Sequence, residues 1–413
     1  MAAVFLFGNL RASLTLARTL ARAGHAVHAG YDDLDPFLVR SNAVSGVLGH
    51  PAPDADPEGA LRQVAAYLEQ HPEIEALIPV SEVAMRLVSR NRDRFPAGVR
   101  LMVTDDRIIE ACSDKAGLFD LCDRLGVPLA RRRMATDMAA LLAAVGEIGL
   151  PCIVKPVEST EFVWGRKAVV LRTPAEVSEW LVGWPEGHRT LCVQALVEGP
   201  RHNVYFGAAH GRLLGAVEVE VLRTDRLDGV GYATEGRSVA PLPAVRAATE
   251  ALVKALDYHG VGCVQVMVDA RSGEMSFLEI NPRLGGNYKI AESCGMPLSL
   301  WLFDIAQGRT PEPKPDPWAY PVNRGYIHTK GDLGGLKAEL SKGALTPLQA
   351  LTWAFRAARG ALRPDHLTFA LSDPWPAIWL YLHKPLIRLG VDPVPGRRGR
   401  RGAALALPVT GAV

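Results

Sequence analysis

The chain of 413 residues has almost no surplus of either charge: 46 Lys and Arg stand against 44 Asp and Glu, a formal net charge of +2. A protein that gained its affinity mainly by neutralising a nucleic-acid backbone would carry a broad positive field. Its absence argues against such a role and leaves any phosphate to a few placed cations. Lysine is scarce, with ten in the chain and none before Lys115. The six cysteines (Cys112, Cys122, Cys152, Cys192, Cys263, Cys294) include no C-x-x-C pair. That spacing argues against zinc and against a disulfide framework, and fits a reducing cytoplasm. No stretch offers the ~20 unbroken apolar residues that span a bilayer. The run over residues 2–24 lacks a basic start and is broken by Arg11, Arg18 and Arg22, unlike a signal peptide. G-x-G-x-x-G, internal repeats and a convincing Ser/His/Asp or Cys/His set are also missing.

What is present is an enzyme-sized globular composition, 48% apolar and 22% charged, with length for about three structural units at roughly 150 residues each. Residues 3–8 read as a short buried strand, 10–22 as a helix and 26–29 as a second strand. With further strand runs at 76–80 and 99–103, residues 1–108 are expected to form a small parallel, Rossmann-like α/β domain. Asp114 reads as a helix cap with Lys115 in the first turn of a helix that ends at Gly126. The run Pro151-Cys-Ile-Val-Lys155-Pro156 is a strand that pins Lys155 at its end, because proline removes the next ladder donor. Residues 308–323 are proline-dense and read as an extended linker. Helical stretches follow near 336–340, 347–361 and 377–389, then a basic tail, Arg397 to Arg401, expected to be a solvated run. The aromatics Trp375, Trp379 and Tyr381, with Lys384 and Arg388, are expected to pack on the core, a membrane-surface helix being the alternative.

The densest chemistry lies in Cys263-Val-Gln265-Val-Met267-Val-Asp269 and Met275-Ser-Phe277-Leu-Glu279-Ile-Asn281-Pro-Arg283. Both flanks alternate with period two around a Ser-Gly turn, which predicts an antiparallel hairpin. A register pairing 265 with 279 and 269 with 275 places Gln265, Glu279, Asn281, Met267 and Phe277 on one face. Val264, Val266, Leu278 and Ile280 then face a core. The polar set is either a solvated face or, if its apolar neighbours are covered, a hard-oxygen site suited to Mg²⁺ shared with phosphates.

Leu278-Glu279-Ile-Asn281-Pro-Arg283 resembles the metal-binding signature of the ATP-grasp superfamily, with Gln265 similar to the glutamine variant in the carbamoyl-phosphate synthetase large subunit. Lys115 and Val-Lys155-Pro match the family's two nucleotide lysines, and Val193-Gln194-Ala-Leu-Val197-Glu198-Gly-Pro-Arg-His202 resembles the adenine hinge of biotin carboxylase. The resemblance implies a Rossmann-like domain at 1–108 and an ATP-grasp α+β domain at 109–308, with a lid over about 109–190 and a core over about 191–308. A linker and helical extension would fill 309–413. It implies ATP and Mg²⁺ or Mn²⁺ as cofactors, with the metal on Gln265, Glu279 and Asn281 and the phosphates on Lys115 and Lys155. Gln194 and the main chain near Val197 would meet adenine, Glu198 and His202 the ribose or phosphates, and Arg283 the transferring phosphoryl group as the catalytic cation.

The family's lid is rich in glycine and serine, whereas this chain reads Glu158-Ser159-Thr-Glu161-Phe-Val-Trp-Gly165-Arg166-Lys167. Either Arg166 or Lys167 substitutes for the missing amides, or closure is impaired, and the acids Glu158 and Glu161 need to face outward. Arg223 and Arg237 lie where relatives hold the acceptor and could clamp a carboxylate. The implied activity is an ATP-dependent carboxylate–amine or thiol ligase acting through an acyl phosphate on small molecules. The alternatives are a bicarbonate-activating enzyme or a non-catalytic ATP sensor. Small-molecule acid and amine partners, no nucleic acid and a possible homo-oligomer complete the expectation.

Overall fold

The structure is a computed structural model that describes residues 2–8, 11–32, 37–157, 161–361, 363 and 365–389. Its first layer is a parallel sheet of β1 (Ala3–Phe7), β2 (Ala26–Tyr31), β3 (Gly46–Gly49), β4 (Ile74–Pro79) and β5 (Arg100–Leu101), in the order β3-β2-β1-β4-β5. β1 is buried at all five positions because α1 (Arg11–Arg22), α2 (Pro57–Gln70) and α3 (Glu82–Arg90) cover the sheet, as a parallel sheet requires. The strand order reverses between β1 and β4, and the crevice outside their carboxyl ends is where such sheets take ligands. Ser81 caps α3 there through Ala84 N at 3.0 Å, setting Glu82 in the first turn.

α4 (Asp106–Ser113) and α5 (Lys115–Leu125) follow. Asp114 accepts from Ala116 N and Gly117 N, both at 3.1 Å, so the expected cap is present and Lys115 opens α5. Next come β6 (Arg132–Ala135), α6 (Met138–Ile148), β7 (Cys152–Pro156), β8 (Val169–Leu171), α7 (Pro174–Trp180) and β9 (Leu191–Ala195), whose strands form an antiparallel sheet β6-β9-β7-β8. Leu141, Val145 and Ile148 of α6 pack on Cys152, Val154, Leu191 and Val193, which leaves Lys155 and Gln194 on the opposite face.

The third sheet joins β10 (Arg201–Ala209), β11 (Arg212–Thr224), β12 (Ala233–Ser238), β13 (Gly260–Val268) and β14 (Met275–Asn281). α8 (Pro243–Ala255) precedes β13, and α9 (Lys289–Ser293) and α10 (Leu298–Ala306) follow β14. α8 and α5 share one core with Val264, Val266 and Phe277, while α10 lies in the core against α1. The proline-dense segment is laid along this sheet: Lys314 N donates to Leu214 O and Ala216 N to Pro317 O, each at 2.8 Å. The chain then enters the sheet as the edge strand β15 (Gly325–Ile327), giving β14-β13-β10-β11-β12-β15. α11 (Thr329–Ser341), α12 (Pro347–Ala361) and α13 (Trp375–Arg388) end the described chain. Asp373 ties this extension to the first layer through Arg18 Nε at 2.8 Å and Ser41 Oγ at 2.6 Å. Trp379 is buried beneath the Arg40 guanidinium, 4.2 Å from its ring, while Trp375 and Tyr381 stay exposed. Among the described residues no helix is long and apolar enough to cross a membrane. The side chains of Lys384 and Arg388, the lid residues Glu158 and Ser159, and the tail Arg397 to Arg401 lie outside the described residues.

One register expectation is corrected. Gln265 does face Glu279 and Cys263 faces Asn281, but a bulge follows, so that Val266 pairs with Phe277 and Val268, not Asp269, pairs with Met275. The extra residue is Leu278. Phe277 therefore turns into the core, fully buried with Val264, Val266 and Ile280, and Leu278 takes its place beside Met267 on the polar face. Phe277→Ala is expected to cost about 3–5 kcal/mol in denaturant unfolding, and Leu278→Ala less than half as much. Equal costs would contradict the bulge.

Candidate nucleotide and metal site

A cavity of about 980 Å³ opens between the two antiparallel sheets. Ile153, Met267 and Leu278 give it apolar walls, Lys155 and Gln194 its polar floor, and residues 195–199 its edge, the mixture expected of a pocket for a flat aromatic group. The edge is held rigidly: Leu196 N donates to Pro151 O at 3.1 Å and Ala270 N to Glu198 O at 2.9 Å. Gly199 is forced by the second of these contacts, since a Cβ there would run into the Val268 carbonyl oxygen. Lys155 Nζ donates to Gln194 Oε1 at 2.8 Å and lies 5.5 Å over the Phe119 ring. Gln194 is buried and its Nε2 has no partner, a donor left for something that enters the cavity. Val197 lies on the cavity wall.

Beyond Lys155 the charges converge. Lys115 is buried and donates to Pro156 O at 3.4 Å. Burial lowers the pKa of Lys155, and the like charge of Lys115 lowers it further. For Glu279 burial works to raise the pKa, but Lys115, a hydrogen bond from Asn281, Lys155 and Arg283 outweigh it, so the carboxyl is held below its ordinary range. Asn281 Nδ2 donates to Glu279 Oε1 at 2.9 Å, and Arg283 Nη2 to Asn281 Oδ1 at 3.4 Å. Arg283 also lies 4.0 Å from Glu82 of α3, which joins this centre to the crevice of the first sheet.

Among the described residues no three His, Cys, Asp or Glu cluster around a metal-sized space, so a metal here would rest on one carboxylate and neutral oxygens. Gln265 and Glu279 are cross-strand partners, and Asn203 is in register with Gln265 on the other side. Asn203 was missed by the sequence reading, although it lies two residues from Arg201 on β10 and so shares its face. Its Oδ1 is buried with no partner, an orphan acceptor that suits a hard cation. The donor set thus fits Mg²⁺ or Mn²⁺ provided that phosphate oxygens complete the shell.

Some expectations are corrected. His202 does not face the cavity: period two on β10 turns it into the α8 core, where its Nδ1 meets Glu218 Oε1 at 2.6 Å, both buried. Glu198 is at the cavity rim but exposed and engaged with Arg172 at 2.8 Å. Arg223 is committed to Glu235 at 2.8 Å and Asp332 at 2.7 Å, and Arg237 to Glu220 at 2.9 Å, so neither offers a free clamp. In the lid, Val163 and Arg166 exchange backbone hydrogen bonds around Trp164 (φ +46°) and Gly165 (φ +71°), a tight hairpin turn that glycine favours. Arg166 stacks 4.5 Å from the Trp180 ring, away from the charged centre. Lys167 Nζ lies 4.2 Å over the Phe162 ring; burial lowers its pKa, with Glu82 acting against that and Lys115 with it. Glu161 faces outward onto His188 at 3.1 Å.

The profile of the carbamoyl-phosphate synthase L chain ATP-binding domain matches residues 240–312, which include Gln265, Glu279, Asn281 and Arg283. The chain is 29% identical over 228 residues to the carbamoyl phosphate synthase large chain of Thermus thermophilus, covering 52% of this chain and 21% of that protein. It is 28% identical over 192 residues to the formate-dependent phosphoribosylglycinamide formyltransferase of Nitratidesulfovibrio vulgaris, covering 45% of this chain and 47% of the relative. The match thus spans about a fifth and about half of these proteins' lengths. In structure the chain is similar to biotin carboxylase from Campylobacter jejuni, with a TM-score of 0.61 at 18% identity over 78% of this chain and 74% of that one. The chain thus shares the fold of that biotin carboxylase, a parallel sheet followed by two antiparallel sheets, and its segment 240–312 is similar to the carbamoyl-phosphate synthase L chain ATP-binding domain.

His202→Ala is expected to lower the unfolding midpoint, because it strands the buried Glu218, while calorimetry finds Mg-ATP affinity within twofold of the parent. Lys155→Ala is expected to weaken Mg-ATP by more than tenfold. A large loss of affinity in the histidine variant would contradict its placement in the core.

Proposed function

We propose that the protein is an ATP-dependent ligase that activates a small carboxylic acid as an acyl phosphate and joins it to an amine or a thiol, releasing ADP and phosphate. The observation that carries this reading is the half-buried Glu279, whose carboxyl Lys115, Asn281, Lys155 and Arg283 hold below its ordinary range, beside the cavity that Lys155 and Gln194 line. Likeness to relatives whose names denote carbamoyl phosphate synthesis and formate-dependent formyl transfer supports the same chemistry. The six cysteines are all buried and unpaired, which supports a cytoplasmic setting.

In the mechanism we infer, adenine lies between Ile153, Met267 and Leu278 and takes hydrogen bonds from Gln194 and the main chain near Val197. Lys115 and Lys155 hold the phosphates. Gln265, Glu279 and Asn281, with Asn203 beside them, would hold Mg²⁺ or Mn²⁺, which supplies Lewis-acid neutralisation of the phosphate oxygens. A carboxylate oxygen of the acid attacks the γ-phosphorus, the bond to the β-phosphate oxygen breaks, and ADP leaves with that electron pair. Arg283 spreads its guanidinium over the charge on the transferring group, and Lys167 closes the site from the lid in place of glycine amides. The amine then attacks the acyl carbon, phosphate departs, and the ammonium proton is lost to solvent. Such catalysis is positioning and charge cancellation, and requires no nucleophilic side chain.

A second reading, bicarbonate as the acid, is favoured by the match to the carbamoyl phosphate synthase chain. A sensor that binds ATP without turnover is the third. Hydroxylamine distinguishes them. The ligase reading expects hydroxamate and ADP in equal amounts from an organic acid. Bicarbonate-stimulated ADP release without hydroxamate would favour the second reading, and tight Mg-ATP binding with no ADP from any acid the third. Glu279→Gln is expected to reduce ADP formation by at least a thousandfold with unfolding unchanged, and Lys167→Ala to reduce kcat by about tenfold with ATP affinity nearly preserved. Normal turnover in the glutamine variant would remove the metal assignment.

A further inference from the structure

With Arg223 and Arg237 neutralised within the fold, the cations left for an acceptor are different ones. Arg201 opens β10 on the same face as Asn203, reaches the cavity wall, and donates to Gly231 O at 3.3 Å, while its Nε is buried without a partner. Arg11 opens α1 in the first layer and crosses to the third sheet, where Nη1 donates to Ala233 O at 3.4 Å. Asn287 Nδ2 shares that carbonyl at 3.1 Å and also donates to Tyr326 OH at 3.0 Å, and Asn287 Oδ1 is a further orphan. No carboxylate of the described residues forms an ion pair with Arg11 or Arg201; the acid that acts on Arg11 from a distance, Asp225, accepts from Tyr232 N at 2.8 Å. Gly231 and Ala233, whose carbonyls Arg201 and Arg11 hold, are two residues apart in the chain, which brings the two guanidinium groups to the same short segment.

Arg11 and Arg201 are half-buried and hold only main-chain carbonyls, and a guanidinium partly withdrawn from water without a counter-charge gains from an anion. The charged centre around Arg283 is accounted for by the phosphates in that reading, whereas Arg11 reaches from the first layer to the third sheet and Arg201 lines the cavity. Their planar forks suit bidentate recognition of a carboxylate or a phosphoryl group.

We propose that Arg11 and Arg201 form a second anion subsite beside Arg283, so that the acid activated here carries a further carboxylate or phosphoryl group in addition to the carboxylate that reacts. This rests on the ligase reading and names the class of its acid. The discrimination follows from charge: an acid lacking the second anion leaves both half-buried forks without a counter-charge.

The test uses the full chain with Mg-ATP and hydroxylamine, and compares succinate and glutarate with their monoamides succinamate and glutaramate. 3-Phosphonopropionate serves as the phosphoryl arm. The expected kcat/KM for the better dianion exceeds that of its monoamide by at least tenfold, with the carboxylate or phosphonate arm showing which second anion fits. Arg11→Gln and Arg201→Gln are expected to shrink the ratio below threefold through KM for the dianion, and Arg11→Lys to restore part of it. Equal turnover of acid and monoamide, or an undiminished ratio in the glutamine variants, overturns the proposal. If no acid yields hydroxamate the ligase reading fails, and the subsite is decided separately by calorimetry with a non-hydrolysable ATP analogue and Mg²⁺. Tighter binding of the dianion than of the monoamide, lost in Arg11→Gln, supports the subsite, and equal binding in the parent protein overturns it.

Discussion

The site depends on one half-buried carboxylate in the company of cations. Glu279 would be driven toward its neutral form by burial, and only the field of Lys115, Lys155 and Arg283, with the amide of Asn281, keeps it ionised. The reverse also holds, since burial alone already weakens the hold of Lys155 on its proton. Without ligand this is a compromise between charges of both signs in a poorly solvated space. A polyphosphate with its metal would resolve it, giving the lysines negative partners and the oxygen row a positive one.

Three layers supply those groups from distant parts of the chain. The helix that begins at Lys115 and the strand that closes with Lys155 and Pro156 come from the smaller antiparallel sheet and its approach, and Glu279 to Arg283 from the edge of the larger one. Glu82 and Arg11 come from the parallel sheet at its point of strand reversal. Each of these groups sits at an element terminus or on a strand face whose opposite side is fully packed, so the core fixes where the charge points. The extension past β15 adds to this by fastening to the first layer through Asp373.

Local signals in the sequence were enough for the Asp114 cap, the Lys155 strand end, the parallel first sheet and the Gln265–Glu279 pairing, because each depends on near neighbours or on strict alternation. Alternation fails where a residue is inserted, and nothing in Phe277-Leu278 distinguishes a bulge from a regular strand when both are apolar. His202 illustrates the opposite difficulty: the motif resemblance points it at the nucleotide, whereas its strand parity, fixed by Val204 and Phe206 in the core, points it at Glu218. Arg223 and Arg237 could not be judged without their partners, for Asp332 is 109 residues away along the chain. Asn203 was within reach of parity reasoning once Gln265 had been placed, but the register of β10 on β13 is a long-range fact.

The balance of charge around Glu279 is tested most directly by titrating Mn²⁺ into the protein by electron paramagnetic resonance, with and without a non-hydrolysable ATP analogue. The account predicts weak Mn²⁺ binding to the protein alone, because three cations already offset the carboxylate, and at least a hundredfold tightening when the triphosphate is present. Equally tight binding in both conditions, or a tightening that survives unchanged in Glu279→Gln, would contradict it.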